Sequence, residues 1–508
     1  MLNNRLYKLL PLAALCCTLH AQGPGRLWLG GYDEFPGVPG YGQVQIRVLQ
    51  DTVLVEPATL AFNFESTVAV ATDPDGELLF YTNGCAVSDR QHQIMPGGEG
   101  LNPGDIAGMV CPQKGYIVPQ GAMTLPDPDH PGRHYLLHLG ASYDPVRKLR
   151  LGPLYYTEID MDLRNGLGDV VSKNNILLAG DLGSFTAVRH GNGRDWWVLA
   201  PEFGGAKWHV FLLGPTGFSA TPPQSLPLSG LVCEKHIGTA ASLQGDRVAH
   251  WGDCKVIVSD FDRCSGTLDH TLELPAPTHW VPGGGLAFSP SGRYLYATSQ
   301  NVLFRADLRP DPPAAIRLDT ARFSYDPLLN SPFVVPGNTF HMLVNGPDGR
   351  IYGSTPSRAR HLHVLHNPDS DTIAPAALDF RARGLPLPVA NVRTLPHLPH
   401  YRLTSLPESP CDTLGIVHVA EKTPPVPAFL VSPNPAQDVL LVECPNCPHE
   451  PALRVMLHDM QGRLVLSAEH SGSSLRLNTQ GLPPGVYALQ LWQGRQYLGS
   501  RRVVLAER

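Results

Sequence analysis

The chain has 508 residues, a formal net charge of −6 from 39 basic and 45 acidic residues, and a hydrophobic fraction of 43%. This length exceeds one ordinary domain, the hydrophobic fraction excludes a wholly disordered chain, and the scattered basic residues argue against nucleic acid as a partner. The 50 glycines and 50 prolines follow no collagen-like period. Together with many short apolar runs, they are typical of an all-β protein rich in turns.

Residues 1–22 have the pattern of an export signal. Arg5 and Lys8 precede an apolar stretch at 9–19, and Ala21 supplies a small residue before the cleavage point at Gln22. The apolar stretch is too short to span a bilayer, and no later segment reaches the required length. The sequence therefore predicts an exported protein without a transmembrane segment. Acylation of a cysteine within the signal is the alternative.

A short pattern recurs along the chain, in which a glycine-containing turn precedes a strand of alternating aromatic and aliphatic residues. The turn glycines of its copies are Gly76, Gly132, Gly193, Gly245, Gly292 and Gly349, which stand 47 to 61 residues apart. A strand-and-turn repeat of this length is typical of propeller blades, which bury their faces only by packing on one another.

We therefore predict an all-β chain, with a β-propeller over residues 23–410 followed by a small C-terminal β-sandwich. At this spacing the propeller has about seven blades, with six as the alternative. The strand at 26–30 is expected to complete the last blade and lock the ring. An array of β-sandwiches is the rival fold, but its domain length of about 100 residues fits the repeat poorly.

Residues 411–429 are rich in proline and predict a semi-rigid linker. Beyond it, residues 430–508 alternate short apolar strands with turns, as in a compact β-sandwich. Four motifs follow one another there: Ser-Pro-Asn-Pro at 432–435, Asp-Met-Gln-Gly-Arg at 459–463, Leu-Pro-Pro-Gly-Val-Tyr at 482–487 and a basic strand from Arg501.

These motifs resemble the type A C-terminal sorting domain of the type IX secretion system. The residues that carry the resemblance are Pro433, Asn434, Pro435, Gly462, Gly485 and Tyr487. The resemblance implies passage through the outer membrane by the type IX translocon and sorting machinery, removal of the tail, and either attachment to the cell surface or release. An ordinary carbohydrate-binding or immunoglobulin-like sandwich is the alternative.

The body resembles WD-repeat-like propeller proteins that carry such a tail in Bacteroidota. The resemblance rests on stretches such as 78–85, 260–264, 284–290 and 346–352. It implies a fold and a cell-surface address, and no activity that transfers to named residues.

The eight cysteines beyond the export signal are compatible with disulfides in an exported chain. Cys254 and Cys264 flank a strand and turn, so they are candidates for a bond between neighbouring strands. Cys444 and Cys447 form a CxxC motif, which we interpret as a local disulfide because a zinc site needs a second ligand pair.

Three groups of residues are candidates for chemistry. Trp196, Trp197 and Trp208 suit stacking on a sugar ring, although large aromatics between blades are mostly core. The pairs Asp73/Asp75 and Asp260/Asp262 present oxygen ligands for calcium, but aspartates in hairpin turns ordinarily cap the backbone. His361, His363 and His366, like His397 and His400, invite a metal interpretation, for which chance spacing is the better explanation. No cofactor is predicted.

The sequence contains no Gly-x-Ser-x-Gly, His-Glu-x-x-His or phosphate-binding loop, so it predicts no particular reaction. The favoured function is a secreted or cell-surface binding module whose ligand is a glycan or a protein. An extracellular hydrolase or lyase acting on polysaccharide or protein, and a structural or adhesive envelope component, are the alternatives.

Overall fold

The computed structural model divides into two compact units, with the boundary between Thr413 and Leu414, and each is described by itself. The described residues are 24–33, 35–50, 52–111, 113–145, 148–229, 236–252, 255–275, 284–299, 302–309, 314–318, 339–356, 358–372, 374–412, 429–444, 452–459, 464–493 and 496–506. The predicted export signal, nearly all of the predicted linker, Cys254, Cys447 and Gly462 lie outside them.

Residues 27–391 form seven antiparallel sheets, called blades 1 to 7 in chain order. Blade 1 contains β1 (Leu27–Tyr32), β2 (Gly42–Val48) and β3 (Val53–Ala58). Blade 2 contains β4 (Ala69–Thr72), β5 (Leu78–Thr82), β6 (Ala86–Asp89) and β7 (Ile94–Glu99). The short helix α1 (Asp105–Val110) leads to blade 3, which contains β8 (Ala122–Pro126), β9 (Arg133–Asp144), β10 (Lys148–Asp160) and β11 (Asp169–Leu178), with a 3-10 turn at Arg164–Gly166.

The remaining blades follow the same order. Blade 4 contains β12 (Thr186–Arg189), β13 (Trp196–Pro201), β14 (Lys207–Gly214), β15 (Gly217–Ala220) and the short β16 (Gln224–Ser225). Blade 5 contains β17 (His236–Ala241), β18 (Arg247–Gly252), β19 (Lys255–Phe261) and β20 (Leu268–Pro275). Blade 6 contains β21 (Leu286–Phe288), β22 (Tyr294–Ser299), β23 (Val302–Asp307) and β24 (Ala314–Leu318). Blade 7 contains β25 (Leu343–Asn345), β26 (Ile351–Gly353), β27 (Ala359–Leu365), the helix α2 (Pro375–Leu378) and β28 (Phe380–Asn391).

Seven separate hydrophobic clusters join each blade to the next and the last blade to the first. Blades 1 and 2 share Leu29 and Val70, for example, and blades 4 and 5 share Trp197 and Val248. The clusters between the other neighbours continue around the ring. The seventh cluster packs Trp28 of blade 1 on Tyr352 of blade 7, with ring centroids 5.1 Å apart. A cyclic series of interfaces is a closed propeller, so the all-β propeller prediction with seven blades is confirmed.

The repeated glycine turn connects the first and second strands of blades 2 to 7. Five of its six glycines, all except Gly132, have φ between 72° and 86°, which side chains other than glycine rarely adopt. The strands that follow send alternate residues to opposite neighbours. Trp196 packs toward blade 3 and Trp197 toward blade 5.

The predicted role of the N-terminal strand is wrong. β1 pairs with β2 along its whole length, from Leu27 opposite Arg47 to Tyr32 opposite Gly42, and it belongs to a three-stranded blade of its own. Blade 7 already has four strands, so its edge offers β1 no place. The ring closes by packing instead, supported by a hydrogen bond from the Ala390 amide to the Gly40 carbonyl (2.7 Å).

The chain then leaves β28 and enters the ring as the axial segment, defined as residues 392–411. It runs beside β1 in the opposite direction. Near its start, the Thr394 methyl group would lie 3.9 Å from a Cβ at Gly30, and further along Leu398 and Tyr401 lie against Gly25. The segment therefore occupies the inner side of the three-stranded blade, although its prolines keep it from forming a regular strand.

Two disulfides of the first unit lie in the described residues, and they pair Cys85 with Cys111 and Cys264 with Cys411. The predicted bond between Cys254 and Cys264 is therefore wrong. Cys411 comes within a Cα–Cα distance of 5.3 Å of Cys264 only because the axial segment returns to blade 5. Cys444 is also disulfide-bonded.

The second unit is a sandwich of two antiparallel sheets, as predicted. One sheet contains β29 (Leu430–Ser432), β30 (Val439–Glu443) and β33 (Ser474–Asn478). The other contains β31 (Leu453–His458), β32 (Leu464–His470), β34 (Gly485–Gln493) and β35 (Gln496–Leu505). Leu440, Val455 and Leu489 lie in the shared core. Among the described residues of both units, no helix is long and apolar enough to cross a membrane.

Candidate functional site

The axis of the ring, where many propellers hold their ligands, is filled by the protein's own chain. Pro396 to His400 of the axial segment face the first strands of blades 4 to 7 and leave a cavity of only about 40 Å³. This volume holds about one water molecule. The other described residues around it are Gln120, Thr186, Thr239, Ala240, Ala241, Leu286, Leu343, Val344 and Asn345, and none of them is acidic.

Hydrogen bonds hold the axial segment to the inner strands. His397 donates from Nδ1 to the Gln120 carbonyl (3.1 Å), and His400 donates from Nε2 to the Ala241 carbonyl (2.9 Å). The Tyr401 hydroxyl donates to the Thr124 carbonyl (2.8 Å). Burial lowers the pKa of His397 to about 4 and also lowers the pKa of His400, so both rings are neutral at pH 7.

Gln120 is the centre of the polar contacts on the axis. Its Nε2 donates to the Thr239 carbonyl, and its Oε1 accepts from the Thr239 amide and the Ser184 hydroxyl, each at 2.9 Å. One amide thus connects blades 3, 4 and 5, and its oxygen and one of its two N–H groups are used within the protein. The hydrogen bonds of Gln120, His397 and His400 described above are therefore made within the protein.

The three tryptophans predicted to stack on a ligand do not reach a surface. Trp196, Trp197 and Trp208 are exposed by 0%, 4% and 1% because each packs between blades. The indole N–H groups of Trp197 and Trp208 donate to the carbonyls of Arg263 and Gly205. The ligand-stacking interpretation of these three residues is therefore wrong. They belong to the core between blades, which was the alternative.

In each aspartate pair proposed for calcium, one member caps a turn. Asp73 Oδ1 accepts from the amides of Asp75 (3.0 Å) and Glu77 (2.9 Å). Asp262 accepts from the Cys264 amide (2.8 Å) and the Ser265 hydroxyl (2.6 Å). These are the ordinary backbone contacts of aspartate in a turn.

The histidines of β27 are part of the blade core. The rings of His361 and His363 touch edge to face with centroids 5.4 Å apart, and His363 Nδ1 accepts from the Arg383 amide (3.2 Å). His366 lies outside this pair, with Nδ1 4.0 Å from the Asp379 carboxylate. In the described part of the chain, no three His, Cys, Asp or Glu side chains come together as ligands for a metal ion.

An open polar cleft lies between blades 1 and 2, at the end of the ring opposite the repeated glycine turns. Its volume is about 300 Å³. It is lined by Asp33, Gln43, Ala61, Phe62, Asn63, Asn83, Cys111, Gln113 and Gly115. Asp33 follows β1, residues 61–63 lie between β3 and β4, Asn83 lies between β5 and β6, and Gln113 follows α1, so four separate connections build the walls. Asp33 is the only ionisable side chain among these lining residues.

Asn63 organises the cleft. Its Oδ1 accepts from the Asp33 amide (2.9 Å) and the Gln43 side chain (3.4 Å), and its Nδ2 donates to the carbonyls of Asp33 and Gln113, both at 3.1 Å. Asn83 donates to the Asn63 carbonyl (3.0 Å). The Asn63 side chain thus joins the connections after β1 and α1, and this fixes the cleft before any ligand arrives.

The wall formed after α1 is also fixed covalently and sterically. The bond between Cys85 and Cys111 ties the end of α1 to blade 2. Gly115 has a φ of 91°, and a Cβ there would lie 2.7 Å from the Asn63 carbonyl oxygen. Only glycine allows the two walls to approach this closely.

Three groups in the cleft remain free to bind a ligand. Asp33 Oδ1 is buried and has no hydrogen-bond partner among the described residues. The Gln113 side chain is exposed, and Phe62 is half-buried against Phe64 and Tyr81 at centroid distances of 5.7 and 5.2 Å. Sequence reasoning missed this site because its residues lie in irregular connections, far apart in the chain and without a common motif.

In the second unit, the sorting motifs hold the last strand in place. Asn434 Oδ1 accepts from the Val504 amide (2.8 Å), and the Ala436 amide donates to the Val504 carbonyl (2.8 Å). The Tyr487 hydroxyl donates to the Pro483 carbonyl (2.6 Å), which closes the turn before β34 at Gly485. Pro433 and Pro435 line a groove with Arg476, and Gly462 lies outside the described residues.

Comparison with solved structures finds similarities at low sequence identity. A proposed 6-phosphogluconolactonase from Bacteroides uniformis is 13% identical with a TM-score of 0.44, over 72% of this chain and 97% of that chain. PorZ, a surface component of the type IX secretion system of Porphyromonas gingivalis, is 13% identical with a TM-score of 0.33, over 96% of this chain and 59% of that chain. The Cps50 (Swd1) β-propeller domain of Myceliophteria thermophila is 10% identical with a TM-score of 0.36, over 64% and 94%.

None of these similarities is strong enough to assign an activity or a partner. No curated protein sequence matches the chain. A family model does match the second unit, over residues 430–505, and it describes a secretion system C-terminal sorting domain. The resemblance predicted from the four motifs is therefore confirmed. The chain carries a type IX sorting domain behind a seven-bladed propeller, and this domain indicates secretion and attachment to the cell surface.

Proposed function

We propose that the propeller is a cell-surface recognition module that binds a glycan in the cleft between blades 1 and 2. The observation that carries the proposal is the buried Oδ1 of Asp33, which has no hydrogen-bond partner among the described residues, in a cleft whose other polar side chains are amides. A buried acceptor without a donor is costly, so a ligand that supplies a hydroxyl or an amine gains the whole of that interaction.

The chemistry of the lining favours sugars. Carboxylates and side-chain amides are the groups that pair with sugar hydroxyls, and the Phe62 ring offers an apolar edge for a sugar face. The volume of about 300 Å³ lies at the lower end of ligand pockets, which suits one sugar unit of a longer chain.

The charge of the cleft restricts the class of glycan. Its described lining contains the Asp33 carboxylate and no lysine, arginine or histidine. An acidic sugar would meet this carboxylate without a compensating cation. Neutral and amino sugars are therefore the expected ligands, while uronic and sulfated sugars are excluded.

The test is a glycan array probed with the purified protein, followed by titration of the best ligand. Asp33→Asn is expected to weaken binding at least tenfold, because hydrogen bonds to charged groups contribute about 1.5–3 kcal/mol. Asp75→Asn is the matched control, since Asp75 is exposed in the glycine turn of the same ring and lies outside the cleft lining. Its affinity should equal that of the unchanged protein.

Three results would contradict the proposal. Binding that survives Asp33→Asn unchanged would place the ligand elsewhere, and binding confined to acidic glycans would contradict the charge argument. Failure to bind any neutral or amino glycan would remove the proposed ligand class. Turnover of a bound polysaccharide would instead support the hydrolase or lyase alternative.

A further inference from the structure

The axial segment has contacts that go beyond filling a channel. Along its length it binds four blades in turn. The Thr394 hydroxyl donates to the Phe64 carbonyl before blade 2 (3.2 Å), and the contacts of His397 and His400 already described reach blades 3 and 5. The Leu406 amide then donates to the Gly191 carbonyl in the turn of blade 4 (2.7 Å).

The end of the segment fits closely against the turns of blades 4 and 5. Arg263 is buried, and it donates to the carbonyls of Arg189 (2.8 Å) and Thr404 (2.6 Å). A Cβ at Gly191 would lie 2.3 Å from the Cys411 sulfur, and a Cβ at Gly193 would lie 2.6 Å from the Ser405 nitrogen. Two glycines of blade 4 thus leave the space that the segment occupies.

The bond from Cys264 to Cys411 completes these contacts. It spans 147 residues and encloses the last strand of blade 5, blades 6 and 7, and the whole axial segment in one covalent loop. Cys411 is the last of these anchors, and the chain continues from there toward the sorting domain, which begins at residue 430. A force applied to the tail, or a proteolytic cleavage C-terminal to Cys411, therefore acts on the chain outside this loop.

We propose that the axial segment is a disulfide-locked strap, which closes the ring in place of an exchanged strand and makes the turn of blade 5 the attachment point of the tail. A pull on the chain beyond Cys411, whether the tail is still present or has been removed, is transmitted through Cys411 to Cys264, and the axial contacts carry none of it. This function is independent of glycan binding.

The same bond makes the strap releasable. A dithiol that reduces it is itself oxidised to a disulfide, and transfers two electrons and two protons to give thiols on Cys264 and Cys411. The axial segment is then held by hydrogen bonds and packing alone. A pull on the tail now reaches the axis directly.

Hydrogen exchange on the full chain tests the lock. In Cys411→Ser the amides of residues 395–406 are expected to exchange at least tenfold faster than in the oxidised protein, while blades 2 and 3 keep their protection. Cys111→Ser is the matched control. It removes the other disulfide and is expected to leave the exchange of residues 395–406 unchanged.

If Cys411→Ser fails to fold, the folded Cys85→Ser/Cys111→Ser double variant is treated with dithiothreitol, so that the Cys85–Cys111 bond makes no contribution. Unchanged protection of residues 395–406 after reduction of Cys264–Cys411 would overturn the proposal. Equal acceleration in Cys111→Ser would overturn it as well, because the effect would then be a general loosening.

Pulling on single molecules from the two chain ends tests the path of the load. The reduced protein is expected to show an early extension of up to about 70 Å, the length of the 20 extended residues of the axial segment, before any blade unfolds. The oxidised protein should lack this event. Its appearance at the same force in both states would contradict the proposed attachment at blade 5.

Discussion

The axis of the ring and the cleft between blades 1 and 2 are lined by similar side chains. They differ in whether those side chains find hydrogen-bond partners within the protein. On the axis, the Gln120 amide makes three hydrogen bonds within the protein, and two histidines donate to backbone carbonyls. In the cleft, the Asn63 side chain makes hydrogen bonds with the backbone of the walls, while Asp33 Oδ1 is buried without a partner among the described residues. Side-chain amides therefore complete the internal hydrogen bonding on the axis. In the cleft they shape a binding site.

The two regions differ in what their side chains contribute to stability. A group whose hydrogen bonds are all made contributes to folding, and its removal should destabilise the protein. A group that is buried and left without a partner costs free energy on folding, and at Asp33 the proposed ligand accounts for that cost. Changes on the axis should therefore alter stability, and changes in the cleft should alter binding.

A fall in pH is expected to produce the largest change in the free energy of unfolding. It should act on buried histidines both in the core between blades and on the axis. Burial lowers the pKa of six histidines to about 3 or 4, namely His134, His138, His250, His341, His363 and His397. In the unfolded chain each binds a proton near pH 6.5, so the unfolded state binds more protons between pH 6.5 and 4, and stability falls as the pH falls. Each histidine contributes about 1.4 kcal/mol per pH unit in this window.

The measurement is denaturant unfolding from pH 7.5 to 4.5. The six buried histidines together set the slope, and removal of one of them, such as His138, is expected to reduce it. A pH-independent free energy of unfolding below pH 6.5 would contradict the neutral, buried state of these rings.

The contributions of the two disulfides to the free energy of unfolding should rank by the length of the loop that each closes. On the chain-entropy model, loss of the 147-residue loop in Cys264→Ser costs about 5 kcal/mol, and loss of the 26-residue loop in Cys85→Ser costs about 3.5 kcal/mol. Unfolding of both variants in urea measures the order. A smaller cost for Cys264→Ser would show that the axial segment stays in place without its bond.

Gln120→Ala should distinguish the axis from the cleft. It leaves the Thr239 amide and carbonyl buried without their partner, and we expect a loss of about 2 kcal/mol in the free energy of unfolding. Gln113→Ala removes the same side chain from the exposed rim of the cleft, where the expected change is within about 0.5 kcal/mol. Equal costs for the two variants would remove the distinction.

The smallest effect on stability is expected at Asp33. Asp33→Asn without ligand should leave the free energy of unfolding unchanged or raise it by no more than about 0.5 kcal/mol, because it removes the charge from a group whose buried Oδ1 has no partner among the described residues. The same variant should lose glycan binding. A large destabilisation would show that Asp33 serves the fold, and the cleft would then lose its main argument.

The parts of the fold that were predictable from the sequence follow local rules. The turn glycines, such as Gly292 and Gly349, mark hairpins that need a positive φ, and their spacing gave the number of blades. The tail was equally readable, because Asn434 and Tyr487 make contacts that short motifs specify.

The remainder depends on contacts between distant residues. Cys411 pairs with Cys264 across 147 residues, and His397 and His400, which the sequence offered only as metal ligands, fill the axis. Trp196 suggested a ligand platform, yet its strand lies between two blades that bury it. In the cleft, Asp33 and Asn83 meet only because two blades pack side by side, and no local pattern encodes that meeting.

The first strand and the axial segment meet at one place. A Cβ at Gly25, two residues before β1, would lie 3.6 Å from the Tyr401 ring. The start of the ring and its closing segment are therefore neighbours. A circular permutant that joins these neighbours through a short linker and opens the chain between two other blades should keep the same ring. The contacts between the blades, rather than the position of the chain ends, would then determine the ring.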